Sequence, residues 1–137
     1  MVALSVTASQ VQPSTTASIK SGIAAEAITA GQTVYVLTAG TIGLCDCDGT
    51  APANTCAGIA VNDAAARQKV SYQTNGTITI GAGASIAAGD IFYAGPTAGS
   101  IVPEADVASG DNVIYLGVGN SSNGIVLNIH NSGVAHA

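Results

Sequence analysis

Aromatic residues are scarce in this chain of 137 residues, which has no Trp, one Phe and four Tyr. A core must therefore be made mostly of Val, Ile, Leu and Ala, and burial contributes only roughly 25 cal/mol per Å² of apolar area. The length fits one domain with a modest core. A subunit of this kind often gains stability from its neighbours, so we expect self-association.

Positive charge is scarcer still, since Lys20, Arg67 and Lys69 face eight carboxylates, for a net charge of −5. A groove that follows a phosphate backbone needs several cations, and so does docking on anionic lipid. No apolar run approaches the roughly 20 residues that span a bilayer. The first residues lack the cationic and apolar regions of a secretion signal. We therefore expect no nucleic-acid partner, no membrane partner and synthesis in a cytoplasm.

Short apolar or β-branched runs, separated by Gly, Asn, Asp or Pro, make up most of the sequence. This pattern is typical of an all-β sandwich or barrel-like domain. Asn75-Gly76 tolerates the positive φ of a type I′ turn, which predicts a hairpin over residues 70–80. An Asn or Asp cap before an alanine run predicts one or two helical turns over residues 62–70.

An internal duplication is the most informative pattern in the chain. AITAGQTVYV at 27–36 aligns with SIAAGDIFYA at 85–94, TAGTI at 38–42 with TAGSI at 97–101, and GIAV at 58–61 with GVGN at 117–120. The offset is 58 or 59 throughout. Gly31 and Gly89 would lie at turns that enter strands, and Gly40 and Gly99 at bends between paired strands. Neither copy has enough core to fold alone.

The duplication predicts a single β-domain at residues 22–130, built from two similar β-units with a repeat length of about 59 residues. The first unit covers about residues 22–81 and the second about residues 82–130. Residues 131–137 would form a C-terminal tail. The two units can pack face to face with a pseudo-twofold relation.

The first residues of the chain follow a different pattern. Val2, Leu4 and Val6 alternate with small or polar residues, which is the period of a strand with one buried face, and residues 10–21 are polar and contain Pro13. We interpret residues 1–21 as an extended N-terminal arm and tether, with Val2, Leu4 and Val6 as interface residues. The arm either adds to a neighbouring chain or forms an edge strand of its own sheet.

The stretch LCDCDG at 44–49, with Cys56 nearby, is the candidate metal or redox site. The matching positions 103–106 of the second unit have no cysteine, so the unit folds without them. Cys45 and Cys47 would face the same side of a strand, and Cys56 could approach either one to form a disulfide. C-x-C is not the usual zinc spacing and a fourth ligand is missing. We expect no metal and no cofactor, and cytoplasmic synthesis favours reduced thiols at first.

Catalytic and calcium-binding patterns are incomplete. Asp46, Asp48 and Gly49 match only a fragment of a calcium loop, because the third carboxylate and the terminal Glu are missing. A Ser-His-Asp arrangement would have to use His130, since His136 lies one residue from the terminus, and no G-x-S-x-G occurs. We therefore predict that the protein is not an enzyme and has no catalytic residues.

The ordered segments AITAGQTVYVLTAGTI, GIAVNDAAARQKVSYQTNGTITIG, AAGDIFYAGPTAGSIVP and NVIYLGVGNSSNGIVLNI cover roughly residues 22–130. Together they resemble the small capsid decoration, or cement, proteins of tailed bacteriophages. The resemblance implies a non-enzymatic virion protein, made in the cytoplasm of a bacterial host. Such a protein binds the outer surface of the capsid as a homotrimer, contacts the major capsid protein and stabilises the shell. The cysteines depart from the expected pattern, so the resemblance implies nothing about them.

Other classes of function make different predictions. A tail or head-fibre module that binds a host surface glycan would expose aromatic platforms, whereas the aromatic residues here lie mostly inside predicted strands. A cysteine-dependent metal or redox protein would hold stoichiometric zinc or iron. A small hydrolase would depend on His130. The aromatic residues in question are Tyr35, Tyr72, Tyr93, Tyr115 and Phe92.

Overall fold

The computed structural model of the chain describes residues 6, 8–15, 17–37, 39–49, 53–80, 86–103, 107, 109–120 and 124–135. These residues form a ten-stranded sheet that curls into a barrel-like domain, so the predicted all-β class is confirmed. The strands are β1 Gln12–Pro13, β2 Ser18–Ile23, β3 Thr33–Val36, β4 Ile42–Leu44, β5 Gly58–Ala60, β6 Lys69–Thr79, β7 Ile91–Ala94, β8 Ile101–Pro103, β9 Asn112–Gly119 and β10 Gly124–Ala135. Helical structure in the described ranges is limited to the 3-10 turn Ala8–Gln10, and none is long and apolar enough to cross a bilayer.

The strand order of the sheet reads as a mirror image about its centre: β4-β3-β5-β6-β10-β9-β7-β8. β3 pairs with β4 and β5 in the first unit, and β7 pairs with β8 and β9 in the second. The two halves join where residues 75–79 of β6 pair with residues 124–128 of β10. The two predicted units therefore have the same strand pairing and meet at the middle of the sheet.

The turns that enter β3 and β7 are built alike. Gly31 and Gly89 have φ of 93° and 91°, which is the left-handed region that favours glycine. The Gly31 N–H donates to the Ala60 carbonyl at 2.8 Å, and the Gly89 N–H donates to the Gly119 carbonyl at 3.0 Å. These paired contacts show that the sequence repeat is also a repeat of local geometry.

The predicted hairpin at Asn75-Gly76 is wrong, because β6 passes through it as one continuous strand. Gly76 does have a positive φ, of 87°, but the register of β2 against β6 shifts beside it, as at a bulge. The Gln73 side-chain amide donates to the carbonyls of Asn75 and Thr77, each at 2.9 Å. Gly76 therefore bends a strand instead of reversing the chain.

The N-terminal segment also differs from the prediction in its described part. β1 and the first four residues of β2 lie within the predicted tether at residues 10–21, and both strands pair antiparallel with β6 along one edge of it. This part of the chain belongs to the sheet. At the other end, β10 continues to Ala135, so most of the predicted tail at residues 131–137 is also in a strand.

The predicted helical turns at residues 62–70 do not form. Ala64 instead makes an isolated antiparallel bridge with Ile28, Arg67 has a positive φ of 74°, and β6 begins at Lys69. Alanine propensity is a weak preference, and here strand pairing on both sides of the segment overrides it.

The core consists of two apolar clusters. The smaller one lies in the first unit, where a parallel bridge between Ala24 and Ile42 connects the end of β2 to β4. β2, β6, β5, β3 and β4 thereby form a closed circuit of paired strands. The larger cluster contains residues of both units, including Cys45, Ile59 and Ile101. The units therefore share a core, as expected for halves that are too small to fold alone.

Candidate functional site: an open strand edge with the chain's positive charges

The three cysteines are buried and unpaired by disulfides. The thiols of Cys45 and Cys56 are in hydrogen-bond contact, and the Cys56 thiol also donates to the Gly58 carbonyl at 3.4 Å. Cys47 instead lies beside Asp111. Of the two partners that the sequence left open for Cys56, the structure brings Cys45 into contact.

Burial and neighbouring groups keep the thiols of Cys45 and Cys47 protonated. The hydrogen bond to Cys56, together with burial, raises the pKa of the Cys45 thiol far above its ordinary value. Burial, reinforced by the charge of Asp111, raises the pKa of Cys47 to about 12. Since the thiolate is the reactive and metal-binding form, these are poor nucleophiles and ligands at neutral pH. No group of three His, Cys, Asp or Glu side chains suited to a metal ion occurs in the described part of the chain.

The loop at Cys56 is held from the other half of the sheet. The Asn131 side chain, on β10, accepts from the Cys56 N–H at 2.7 Å and donates to the Cys56 carbonyl at 3.0 Å. This pair of hydrogen bonds satisfies both backbone groups of one buried residue. The cysteine region is therefore a structural junction between the two units.

The acidic pair in LCDCDG forms a local turn. The Asp46 carboxylate accepts from the Asp48 N–H at 3.3 Å, and the Asp46 carbonyl accepts from the Gly49 N–H at 3.0 Å. Partial burial, with a hydrogen bond to the Asp48 carboxyl, raises the pKa of Asp46 to about 6. The protonation of Asp46 therefore depends on the neighbouring Asp48 side chain.

Of the predicted interface residues, Val2 and Leu4 lie outside the described residues. Val6 packs against the larger core cluster, and a side chain at Gly31 would overlap it. Val6 also lines a groove of about 320 Å³ between the turns at residues 29–32 and 97–101. This residue of the arm thus contacts its own chain, next to the place where the turns of the two units meet.

Four of the five aromatic residues are either buried or packed edge to face. Tyr93 and Tyr115 meet edge to face with ring centroids 6.0 Å apart, and Tyr72 and Phe92 are buried. His130 is exposed on β10 directly opposite Tyr115. A glycan module typically stacks sugars on an open aromatic face, which this edge-to-face pair does not offer.

The outer edge of β2 is an open strand edge. β2 pairs with β6 on one side, and its other side has no strand partner in that part of the chain until the bridge at Ala24. Ile19 and Ile23 share one face of β2 and are 44% and 48% exposed. An unpaired strand edge with exposed apolar residues is a template for pairing with another chain.

All three cations of the sequence lie at this edge. Lys20 is on β2, Lys69 is the cross-strand partner of Ile23, and the Arg67 N–H donates to the carbonyl of Ala24 at 2.7 Å. All three side chains are exposed. Lys20 pairs with Tyr72 and Lys69 with Ile23, so the Lys20 and Lys69 side chains project to opposite faces of the sheet and the three cations surround the edge. In a chain of net charge −5 this positive patch suits an acidic partner.

Sequence reasoning missed this edge. Residues 18–21 fall in the segment that the sequence predicts as a polar tether, and Lys20 is 47 residues from Arg67 in the chain. The sequence shows only that cations are few. Their closeness to one another in the fold becomes visible only after the strands are paired. Comparisons of the chain with protein-family models, curated proteins and solved structures found no match.

Proposed function

We propose that the protein is a structural virion protein that binds the outer surface of a phage capsid and stabilises the shell. The observation that carries the proposal is the open edge of β2 with its positive patch. The sequence resemblance to capsid decoration proteins supports the same conclusion. The described site residues suit adhesion, since the three thiols are buried, those of Cys45 and Cys47 are held protonated, and the acidic pair is engaged in a turn.

The proposed contact is strand addition. An extended segment of the major capsid protein would pair with the free backbone groups of β2, and its alternate side chains would cover Ile19 and Ile23. Carboxylates on the segment would approach Lys20, Arg67 and Lys69, which increases the association rate and selects the strand register.

The proposed contact would stabilise the shell if it can form only in the assembled capsid lattice. If the acidic segments of neighbouring capsid subunits are correctly spaced only in the assembled lattice, binding favours that lattice over the dissociated state. The proposed form of the self-associated protein is a homotrimer, in which each copy makes the same weak contact. Once one copy is bound, the effective concentration of the others near the shell is high, so the contacts together bind more tightly than one alone. No chemical step is needed.

The experiment is co-sedimentation of the purified protein with capsids that lack it, followed by imaging of the particles. We expect saturable binding and added density on the shell. The variant Ile19→Asp/Ile23→Asp removes the apolar face of β2 and should weaken binding at least tenfold. Val134→Asp is the matched control, because Val134 is the most exposed large apolar residue and lies on β10. Density on the tail or no binding would overturn the proposal, as would equal binding by both variants.

Charge is tested separately. Lys20→Glu/Lys69→Glu reverses two of the three charges of the patch and should weaken capsid binding, and a rise in salt should reduce binding by the unaltered protein. Binding that is indifferent to both changes would contradict an acidic partner segment at this edge.

A further inference from the structure

The duplication extends beyond the repeated sequence segments to the strand that precedes each of them. β2 pairs antiparallel with β6 in the first unit, and residues 77–79 of β6 pair antiparallel with β10 in the second. The equivalent residues keep the offset of 58 found in the repeat: Ile19 and Thr77, Lys20 and Ile78, Ser21 and Thr79.

Cross-strand rows of side chains support this equivalence. The row through Ile59 contains Gln73 and then Ile19, whereas the row through Val118 contains Val126 and then Thr77. Ile59 and Val118 are equivalent positions of the repeated segments GIAV and GVGN. The last part of β6 is therefore the counterpart of β2.

The second unit shows what binds the outer side of this strand. β1 runs antiparallel along residues 77–79, with Pro13 opposite Ile78, and the Ser14 N–H donates to the Thr77 carbonyl at 3.0 Å. Proline has no N–H, so the position opposite Ile78 needs no backbone donor. A short extended segment is thus sufficient to cover this edge.

The equivalent outer side of β2 is open over the same length. Among the described residues no strand pairs with it before the bridge between Ala24 and Ile42. Close to that bridge, a Cβ at Gly22 would lie 3.6 Å from the Gly40 carbonyl. The open stretch therefore contains residues 19–21, the counterpart of the stretch that β1 covers.

The backbone groups of Ile19 and Ser21 point to the open side. The Ala24 N–H donates toward the start of β6, to the Gln68 carbonyl at 2.8 Å, whereas the Ala25 N–H donates to a carbonyl of β4 at 2.7 Å. Successive residues of a paired strand alternate in the side to which their N–H and C=O point. The odd-numbered residues of β2 therefore present these groups away from β6, as Ala25 does.

We infer that the capsid segment binds β2 as β1 binds the end of β6: antiparallel, with three residues opposite Ile19, Lys20 and Ser21. The inference rests on the proposed function and adds the direction and register of the segment. The segment residue opposite Lys20 needs no backbone donor, by analogy with Pro13, so it contributes through its side chain. Side chains lie closest together in such a pair, and a carboxylate at this position would contact Lys20 directly.

Charge distinguishes this segment from β1. Ile78 is buried, whereas its counterpart Lys20 is exposed, and Arg67 and Lys69 lie near the same edge. Residues 12–14, which cover the internal edge, carry no charge. An acidic segment of the capsid protein therefore fits the open edge better than the β1 segment of another copy of this chain.

The first test removes one outward N–H of β2. Ser21→Pro should fold, because an edge strand accepts proline where the N–H faces solvent. It should weaken capsid binding about tenfold, because a carbonyl of the segment loses its donor. Ser21→Ala keeps the N–H and should bind like the unaltered protein. Melting temperatures verify that both variants are folded, and equal capsid binding by the two would overturn the inference.

Hydrogen exchange tests the same contact in the unaltered protein. In the free protein the amides of Ile19 and Ser21 should exchange faster than those of Lys20 and Gly22, which point toward β6. Binding to capsids that lack the protein should slow the exchange of β2. Retained binding with no added protection of β2 would overturn the inference.

Two single variants test the register. Lys20→Gln removes a charge within the paired residues and should weaken binding more than Lys69→Gln, whose charge lies beyond them, opposite Ile23. The reverse order would overturn the register. In images of the particles that carry the protein, a strand of the capsid protein should run antiparallel to β2. A parallel strand, or a strand from another copy of this chain, would overturn the inference.

These outcomes separate the inference from the proposed function. Capsids that do not bind the protein at all would reject the proposed function. Capsids that bind Ser21→Pro normally but bind Ile19→Asp/Ile23→Asp weakly would retain adhesion through the apolar face of β2 and reject only the strand pairing.

Discussion

The two β-units have the same strand pairing but not the same surroundings. In the first unit the row through Ile59 is buried, and the cysteines pack beside it. In the second unit the corresponding row through Val118 faces outward, with Ile91 and Val126 exposed. The turn at Gly99 is inserted into the other unit, whereas a Cβ at Gly40 would meet no atom within 4 Å. Duplication has therefore preserved the pairing of strands, whereas side chains and contacts between units differ.

This difference distinguishes the features that each unit requires to fold from the features that hold the two units together. Gly31 and Gly89 recur because the turn geometry requires positive φ in both copies. Cys45 and Cys56 have no counterparts in the second unit, because only the first unit forms the junction with Asn131 at this place. A feature found in both units is required by the unit, and a feature found in one belongs to their association or to a partner.

The largest expected effect comes from a feature common to both units. A Cβ at Gly58 would overlap the Gln73 carbonyl, and a Cβ at Gly117 would overlap the Val126 carbonyl. Backbone atoms cannot move aside, so Gly58→Ala and Gly117→Ala should each reduce the free energy of unfolding by about 3 kcal/mol or more. Urea denaturation measures this. Gly110→Ala, which has open space, should cost only about 1 kcal/mol, as expected for its positive φ.

The next effect concerns the junction, which has no counterpart in the other unit. Asn131→Ala removes both hydrogen bonds to the Cys56 backbone and leaves buried groups unsatisfied. We expect a loss of about 2 kcal/mol in the free energy of unfolding. Asn128→Ala on the same strand is exposed and should change stability by less than about 0.5 kcal/mol. Equal values for the two variants would mean that the junction does not hold the units together.

A third prediction compares the two tight turns directly. Gly40→Ala and Gly99→Ala incur the same conformational cost of about 1 kcal/mol, because both glycines have a positive φ. Only at Gly99 must neighbouring side chains also shift, which should add about 1 kcal/mol. Denaturation of both variants as dilute protein checks the difference. If the two losses are the same, the internal docking of Gly99 contributes nothing.

The smallest effect is a dependence on pH confined to the first unit. The pKa of Asp46 is raised to about 6 in the folded chain, above its ordinary value of 3.8, so the folded state holds the proton more tightly. This group therefore stabilises the fold at low pH, and its contribution is lost as pH rises from about 4 to about 6. Asp46→Asn should remove that decline. The difference in melting temperature is below about 2 °C, since the side chain is only partly buried.

Much of the fold follows from local sequence. The repeat AITAGQTVYV and SIAAGDIFYA located β3 and β7, and its glycines located their turns. The error at Asn75-Gly76 arises because a positive φ serves equally in a tight turn and in a bulge. The choice between them is made by the strands on either side of β6, which the local sequence does not contain.

The candidate site could not be predicted, for a similar reason. Residues 18–23 have no clear alternation because nearly every side chain in β2 is exposed. The positive patch requires that Lys20 and Lys69 lie on neighbouring strands, three residues out of register, and the β2–β6 pairing places them so. Likewise, the contact of Cys56 with Cys45 depends on the junction at Asn131.

One strand belongs to both units at once. The first part of β6 pairs with β5 and β2, and its last residues pair with β10 and β1. Loss of this strand would open the closed circuit of the first half and remove the support of β10 in the second. Neither half can therefore melt while the other remains intact, and heating should show a single cooperative transition despite the doubled architecture.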